Sequence, residues 1–341
     1  MSRTAKENYL CMAKGELPDH VMFYNMGMTT YTDETPTRAI APNIFNETRR
    51  SADGGTDIWG VNYVTNEETG FAALPEPNNF IMKDIADWEK ILIPPKMPDI
   101  DWEMMAKADY AKTDIDRTQS AVSSNCSSIG PFQQLIAFMG FNEGLCALYE
   151  DPDTVRDMLH FLADFYVPII EKTLDAYKPD IFTIADDSAA KLNPFFSPAI
   201  FKDVFMPIYT KLLQPANDRG IIIQYHNCGR CEDFLDDMMS IGIKYWEPAQ
   251  TDNDLLAIKA KYGRDLVICG GWDWEAPINW PEYDEEAIRQ TVRDSIDRLA
   301  PGGAYAFRGR AIGTYQDPVA AEICEMIELE CYNYGRNYYN K

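Results

Sequence analysis

His226 and Cys228 stand two residues apart, after the apolar run Ile221-Ile222-Ile223 and just before Gly229. In an extended segment residues i and i+2 point the same way, so both side chains reach one ion or one substrate from the mouth of a strand. Imidazole with thiolate is zinc-like ligation. The plainer reading of the same pair is a hydrogen-bonded core histidine beside an inert buried thiol. Two donors do not complete a site, so the meaning of the pair depends on what else the chain brings to it.

From Asp151 onward short apolar strands alternate with amphipathic helices. Asp151-Pro152 is an N-cap followed by proline at the first helical position, and Val155, Met158, Leu159, Leu162, Phe165 and Tyr166 keep a 3.6-residue period. Strands are expected at Ile181–Ala185, Gly220–Tyr225, Lys244–Trp246, Leu266–Cys269 and Ala304–Phe307. Helices are expected over about Pro198–Asp218, Glu232–Ile241, Asp254–Tyr262 and Asp284–Leu299. Buried strands alternating with helices imply a parallel sheet. So many units without a glycine-rich phosphate turn fit a closed (β/α)8 TIM barrel. The first hundred-odd residues are proline-punctuated, and Met22–Met28 reads as the first strand with its loop. The expected organisation is one domain over 1–341, with a helical and loop-rich portion over about 1–110 and the main run of β/α units over about 111–341.

In such barrels chemistry sits at the C-terminal ends of the strands. Asp186-Asp187, His226/Cys228, Glu247, Cys269 and Arg308 end successive expected strands and should ring one pocket. Asp186 and Asp187 are adjacent and face opposite ways, one to the pocket and one to a supporting partner. Arg308 either grips a substrate carboxylate in bidentate fashion or pairs with an acid. Tyr24, Trp59 and Trp272 either stack on a flat ligand or pack in the core. Cys269 reads as strand packing, Met22, Met26 and Met28 as pliable filler, and Cys11, Cys126, Cys146, Cys324 and Cys331 as structural thiols.

The 341 residues are 46% apolar and carry a formal net charge of −23, enough apolar material for a large core and the wrong sign for a nucleic acid or an anionic membrane. No run of apolar residues is long enough to span a bilayer, and the first residues lack the apolar centre of a signal peptide. Eight cysteines are too sparse for a disulfide scaffold. A reduced, cytoplasmic setting is expected.

Several motifs resemble those of the uroporphyrinogen decarboxylase-like superfamily. Lys14-Gly15-Glu16-Leu17-Pro18-Asp19 resembles its "GE-x-PD" helix exit and Asp57-Ile58-Trp59-Gly60-Val61 its early "D-x-(aromatic)-G-V". Asp186-Asp187 with Ser197-Pro198 resembles "DD…SP", His226–Gly229 matches "H-x-CG", and Gly270–Asp273 sits at the glycine-led "GN-x-D". The H-x-C form is similar to the branch of corrinoid-dependent methyltransferases. That resemblance implies a zinc ion, a methylated small molecule such as a methoxylated aromatic, and a separate corrinoid (cobalamin) protein as partner, because this chain shows no corrinoid-binding domain. It also implies roles: Asp186 and Asp187 catalytic, His226, Cys228 and Glu247 metal-ligating, and Tyr24, Asn25, Trp59, Trp272 and Arg308 substrate-binding.

Two departures from the family pattern matter. Phe23–Met28 lacks the arginine with which the decarboxylases hold porphyrinogen carboxylates, which argues against tetrapyrrole decarboxylation. Phe307–Gly313 lacks the further cysteine of the methyltransferase branch. Either another group completes the shell or the metal has been lost; Glu247 is the expected replacement, ahead of Cys269 and Cys231, and a shell with fewer thiolates suits an oxygen-bound methyl donor. Transfer from methylcobamide to a thiol or to tetrahydrofolate, a metal-free lyase, and a silent binding protein are the alternatives on the same barrel.

Overall fold

In the computed structural model, residues 2–28, 30–42, 44, 53–66, 73–125, 129–273, 282–311 and 317–340 are described. In chain order the strands are β1 (Met22–Phe23), β2 (Thr37–Ile40), β3 (Gly55–Thr56), β4 (Asn62–Val64), β5 (Leu74–Pro75), β6 (Ala121–Asn125), β7 (Ile181–Ala185), β8 (Ile222–His226), β9 (Ile243–Ala249), β10 (Val267–Gly271) and β11 (Tyr305–Arg308). Eight of them pair in parallel in the order β1-β11-β10-β9-β8-β7-β6-β2: from β2 to β11 each barrel strand lies beside the next barrel strand of the chain, and β1 pairs with the last strand, β11. Small antiparallel β3-β4-β5 stands apart. The architecture is the expected (β/α)8 barrel, and the stretch before residue 110 contributes two of its strands, the expected one at Met22–Phe23 and a further one, β2, that the sequence reading does not include.

Side-chain alternation sorts each barrel strand into two faces. Ile223, Tyr225, Ile268, Tyr305 and Phe307 join the outer core against the helices, while Ile181, Tyr245, Val267, Cys269 and Ala306 fill the barrel interior. The helix Ala5–Met12, held at its start by a Thr4/Glu7 capping box, covers the N-terminal end. It inserts the fully buried Tyr9, which stacks on Tyr245 with ring centroids 4.7 Å apart. The helix Pro152–Tyr177 starts and packs as its sequence predicts, with the Asp151 carboxylate accepting from Thr154 N. The expected single helix over about Pro198–Asp218 instead contains a π turn at Phe201–Phe205. Pro207 lacks an N–H for the usual i→i−4 bond, and Met206 N reaches back to Phe201 O.

Side chains complete the hydrogen bonding between β1 and β2. Just past β1, the Asn25 side-chain amide donates to Thr37 O at 3.1 Å, and Thr37 Oγ1 donates to Asn25 Oδ1 at 2.8 Å. Gly27 N donates to Thr37 Oγ1 at 3.1 Å and Ala39 N to Gly27 O at 2.9 Å. Gly27 has φ +76°, and a Cβ there would lie 2.6 Å from the Cβ and N of Ala39. Only glycine meets both conditions. Gly27→Ala should therefore cost about 1–3 kcal/mol and lower the urea midpoint at unchanged slope. An unshifted midpoint would show that this seam does not depend on the close approach.

Candidate metal centre at the barrel mouth

β8 delivers His226 inward at its last residue, and β9 delivers Glu247 beside it; the two are register partners. His226 Nδ1 lies 2.7 Å from Glu247 Oε1, and Arg308 Nη1, at the end of β11, donates to Glu247 Oε2 at 3.3 Å. The Glu247 side chain is 2% exposed. Burial alone would raise its pKa, but His226 first, then Arg308 and a hydrogen bond from Tyr24, hold it below the ordinary carboxylate range. Burial works equally against the His226 imidazolium, yet Glu247 and Cys228 together raise that pKa well above its usual value.

The other ring nitrogen faces a different pair of donors. His226 Nε2 is 3.6 Å from Cys228 Sγ and 3.6 Å from Asp187 Oδ1. Asp187 Oδ1 also accepts from Cys228 N at 2.8 Å, which ties the loop after β7 to the loop after β8. Among the described residues Asp187, His226 and Cys228 form a group whose ligand atoms lie within 4.8 Å of one another. For zinc with bonds of about 2.0–2.3 Å to nitrogen, oxygen and sulfur, tetrahedral angles place N···S at about 3.6 Å and N···O at about 3.4 Å. The donor set and its spacing fit zinc. Burial pushes the Cys228 thiol up against the opposing pull of His226, so binding a cation there releases a proton.

The structure thus separates the expected ligands. Glu247 lies on the Nδ1 side of the imidazole, across the ring from Cys228, and Asp187 takes the third position facing Nε2. Adjacent Asp186 is turned away: fully buried, it accepts from Phe132 N at 2.9 Å, Gln133 N at 2.8 Å and the Tyr209 hydroxyl at 2.6 Å. Burial pushes its pKa up to about 6 against those three bonds. Asp186 anchors the N-terminus of the helix Pro131–Met139, and Gly130 makes room, since a Cβ there would meet Ala185 O at 2.3 Å.

The aromatic residues also divide. Tyr24 and Arg308 line a cavity of about 360 Å³ with Phe23, Met26 and Tyr31, and the Arg308 guanidinium lies 5.8 Å from the Tyr24 ring centroid. Asn25 borders the same cavity while its amide closes the barrel. Trp59 does not line it. Asp57 Oδ1 caps a turn by accepting from Trp59 N and Val61 N, and the indole packs among Phe161, Phe165 and Tyr166, donating to Tyr166 Oη at 2.6 Å. Trp272 is fully buried and donates to Thr291 Oγ1 at 2.9 Å, against the helix Glu285–Leu299. Cys269 sits inside the barrel 3.5 Å from the Tyr9 hydroxyl, below the mouth. Cys126 and residues 312–313 lie outside the described residues. A second cavity, of about 300 Å³, opens on Cys228 itself, between Lys191, Gln250 and Asp273. Gln224, which the apolar run in the sequence conceals, stands directly beneath His226 on the same face of β8.

Residues 60–308, almost three-quarters of the chain, match the family model described as uroporphyrinogen decarboxylase (URO-D). The chain belongs to that family. Among solved structures it is similar to a methyltransferase from Methanosarcina mazei, at 13% identity over 98% of this chain and 99% of that one, with a TM-score of 0.63. At that identity the likeness establishes the shared fold. An uncharacterized protein aligns over 50% of this chain and 47% of its own at 11% identity and a TM-score of 0.28, too low to carry an argument. No curated protein matches significantly. No described helix is long and apolar enough to cross a membrane.

The chain holds three histidines, so its imidazole titrations are separable by NMR. In metal-free protein His226 should titrate well above the usual histidine range. Glu247→Gln should lower that midpoint by about 1 unit or more, because an opposite charge favours the imidazolium. An unmoved midpoint would remove Glu247 from the account of this histidine.

Proposed function

We propose that this protein is a methyltransferase that moves a methyl group between a small methylated substrate, a methoxylated aromatic, and the cobalt of a separate corrinoid protein in the cytoplasm, with zinc at the barrel mouth. The observation that carries this reading is the convergence of His226 Nε2, Cys228 Sγ and the Asp187 carboxylate at zinc-like separations. Family membership supports the choice of a pocket at the strand ends as the reaction site.

Asp187, His226 and Cys228 would hold the metal. When bound, zinc supplies Lewis acidity toward an oxygen or a thiolate. Compared with the two-thiolate set of the resembling branch, one thiolate and one carboxylate donate less electron density, which suits an ether oxygen over an acceptor thiol. Glu247 accepts a hydrogen bond from Nδ1–H of His226 and leaves Nε2 to face the metal as a ligand atom. Arg308 balances the Glu247 charge and, with Tyr24, walls the cavity that takes the aromatic ring. Phe23, Met26 and Tyr31 give that cavity apolar sides and keep water off the ring.

Metal analysis of purified protein should find about one zinc per chain, and Cys228→Ala and Asp187→Ala should lose it. Glu247→Ala should retain the site with affinity weakened about 10- to 100-fold. With added cob(I)alamin and a panel of methoxyarenes, the Co(I) absorbance should decay only in the presence of a methylated substrate. Wild-type protein that binds no zinc would sink the metal reading.

A further inference from the structure

The cavity walled by Tyr24 and Arg308 has an acid in its lining that no step proposed so far uses. Glu328, on the helix Pro318–Gly335, lines it together with Tyr31 and is 3% exposed. A carboxylate offers about four lone-pair positions, two on each oxygen. Here three donors converge on a single oxygen: Tyr31 N at 2.6 Å, Thr32 N at 3.0 Å and Thr32 Oγ1 at 3.3 Å, all to Oε1. Among the described residues no donor reaches Oε2. One oxygen thus ties down the segment after β1, and the other is left for what enters the cavity.

A buried carboxylate oxygen without a donor is unfavourable. Burial raises the Glu328 pKa, and the bonds from Thr32 and Tyr31 oppose that rise. A ligand that brings a hydrogen-bond donor to Oε2 makes a charge-assisted bond there, whereas a ligand without one leaves the oxygen unpaired. The other walls select the rest of the ligand. Phe23, Met26 and Tyr31 give flat and apolar sides suited to a ring. Arg308 and Arg310 line the same cavity, and Arg310 makes no ion pair among the described residues. Two guanidinium groups oppose a cationic donor such as an ammonium but not a neutral hydroxyl.

We infer that Glu328 is a specificity-determining residue and that the ring this cavity takes is a phenol, whose O–H donates to Glu328 Oε2. The inference rests on the reading above that an aromatic ring occupies the cavity, and it adds the group that ring must carry. A Glu328 that only held Tyr31 and Thr32 in place would give a ligand hydroxyl no advantage.

The test is calorimetric titration of the full chain, without cob(I)alamin, with methoxybenzene and with the 2-, 3- and 4-methoxyphenols, which differ from it by one hydroxyl. At least one phenol should bind wild-type protein about 10-fold more tightly than methoxybenzene. In Glu328→Gln the amide oxygen keeps the bonds from Tyr31 and Thr32 while the amide nitrogen presents a donor to the cavity. The phenol preference should then fall to about 2-fold or less, with methoxybenzene affinity unchanged. A variant that loses both ligands alike marks a structural role for Glu328 and overturns the inference. Equal affinities in wild-type protein overturn it without any variant, as does tighter binding of phenyltrimethylammonium than of the phenols. Should Glu328→Gln not fold, Glu328→Met is judged by the same criterion. A phenol preference in protein that binds no zinc and transfers no methyl group overturns the methyltransferase reading alone, whereas methyl transfer without that preference overturns this inference alone.

Discussion

Glu247 is a carboxylate 2% exposed inside a barrel, held between an imidazole and a guanidinium. Taking a carboxylate out of water costs several kcal/mol, and only close partners offset that. Three strands are committed to supplying them: β8 brings His226, β9 the acid itself and β11 Arg308. Removing one partner of such a pair typically costs about 3–5 kcal/mol. The arrangement therefore fixes the strand ends against one another as firmly as it fixes the histidine. The register of β8 on β9, which places His226 opposite Glu247, is the geometric condition for everything above it.

From that constraint the two sides of the imidazole acquire different jobs. The Nδ1 side is dry, ionic and continuous with the aromatic plug of Tyr9, Tyr24 and Tyr245. The Nε2 side is wetter, with the Asp187 side chain 38% exposed and a cavity opening at Cys228. A metal ligand needs this asymmetry, since one nitrogen must be held while the other is offered. The cavity beside Tyr24 is walled by Arg308, the partner of the buried acid, and the other cavity opens at Cys228, on the Nε2 side of the imidazole.

Much of this was legible in the sequence. The strands from Ile181 to Phe307 were readable because fully buried strands are short apolar runs between helices of clear period, and their polar ends located the mouth. The first half was not. β2 is four residues, Thr-Arg-Ala-Ile, with no apolar run, and its place beside β1 comes from the Asn25–Thr37 side-chain bonds, which no periodicity announces. The His-x-Cys pair followed from strand alternation, but the third member of the candidate site did not. Asp187 and Glu247 both follow apolar runs, and only the path of the loop after β7 decides that Asp187 meets Nε2 while Glu247 meets Nδ1. Trp59 and Trp272 stood in motif-like positions as aromatic candidates, yet the motif at Trp59 encodes an Asp57-capped turn, and both indole N–H groups are satisfied in the helical layer. Gln224 was invisible because a single polar residue in an apolar strand reads as noise until the barrel shows what stands above and below it.

The central claim is that one thiolate, one imidazole and one carboxylate share a zinc ion at this mouth. X-ray absorption at the zinc edge of the metal-loaded protein reads that shell directly. The account predicts one sulfur at about 2.3 Å with the remaining donors nitrogen and oxygen at about 2.0–2.2 Å. A shell without sulfur, or with two or more sulfurs, would contradict it.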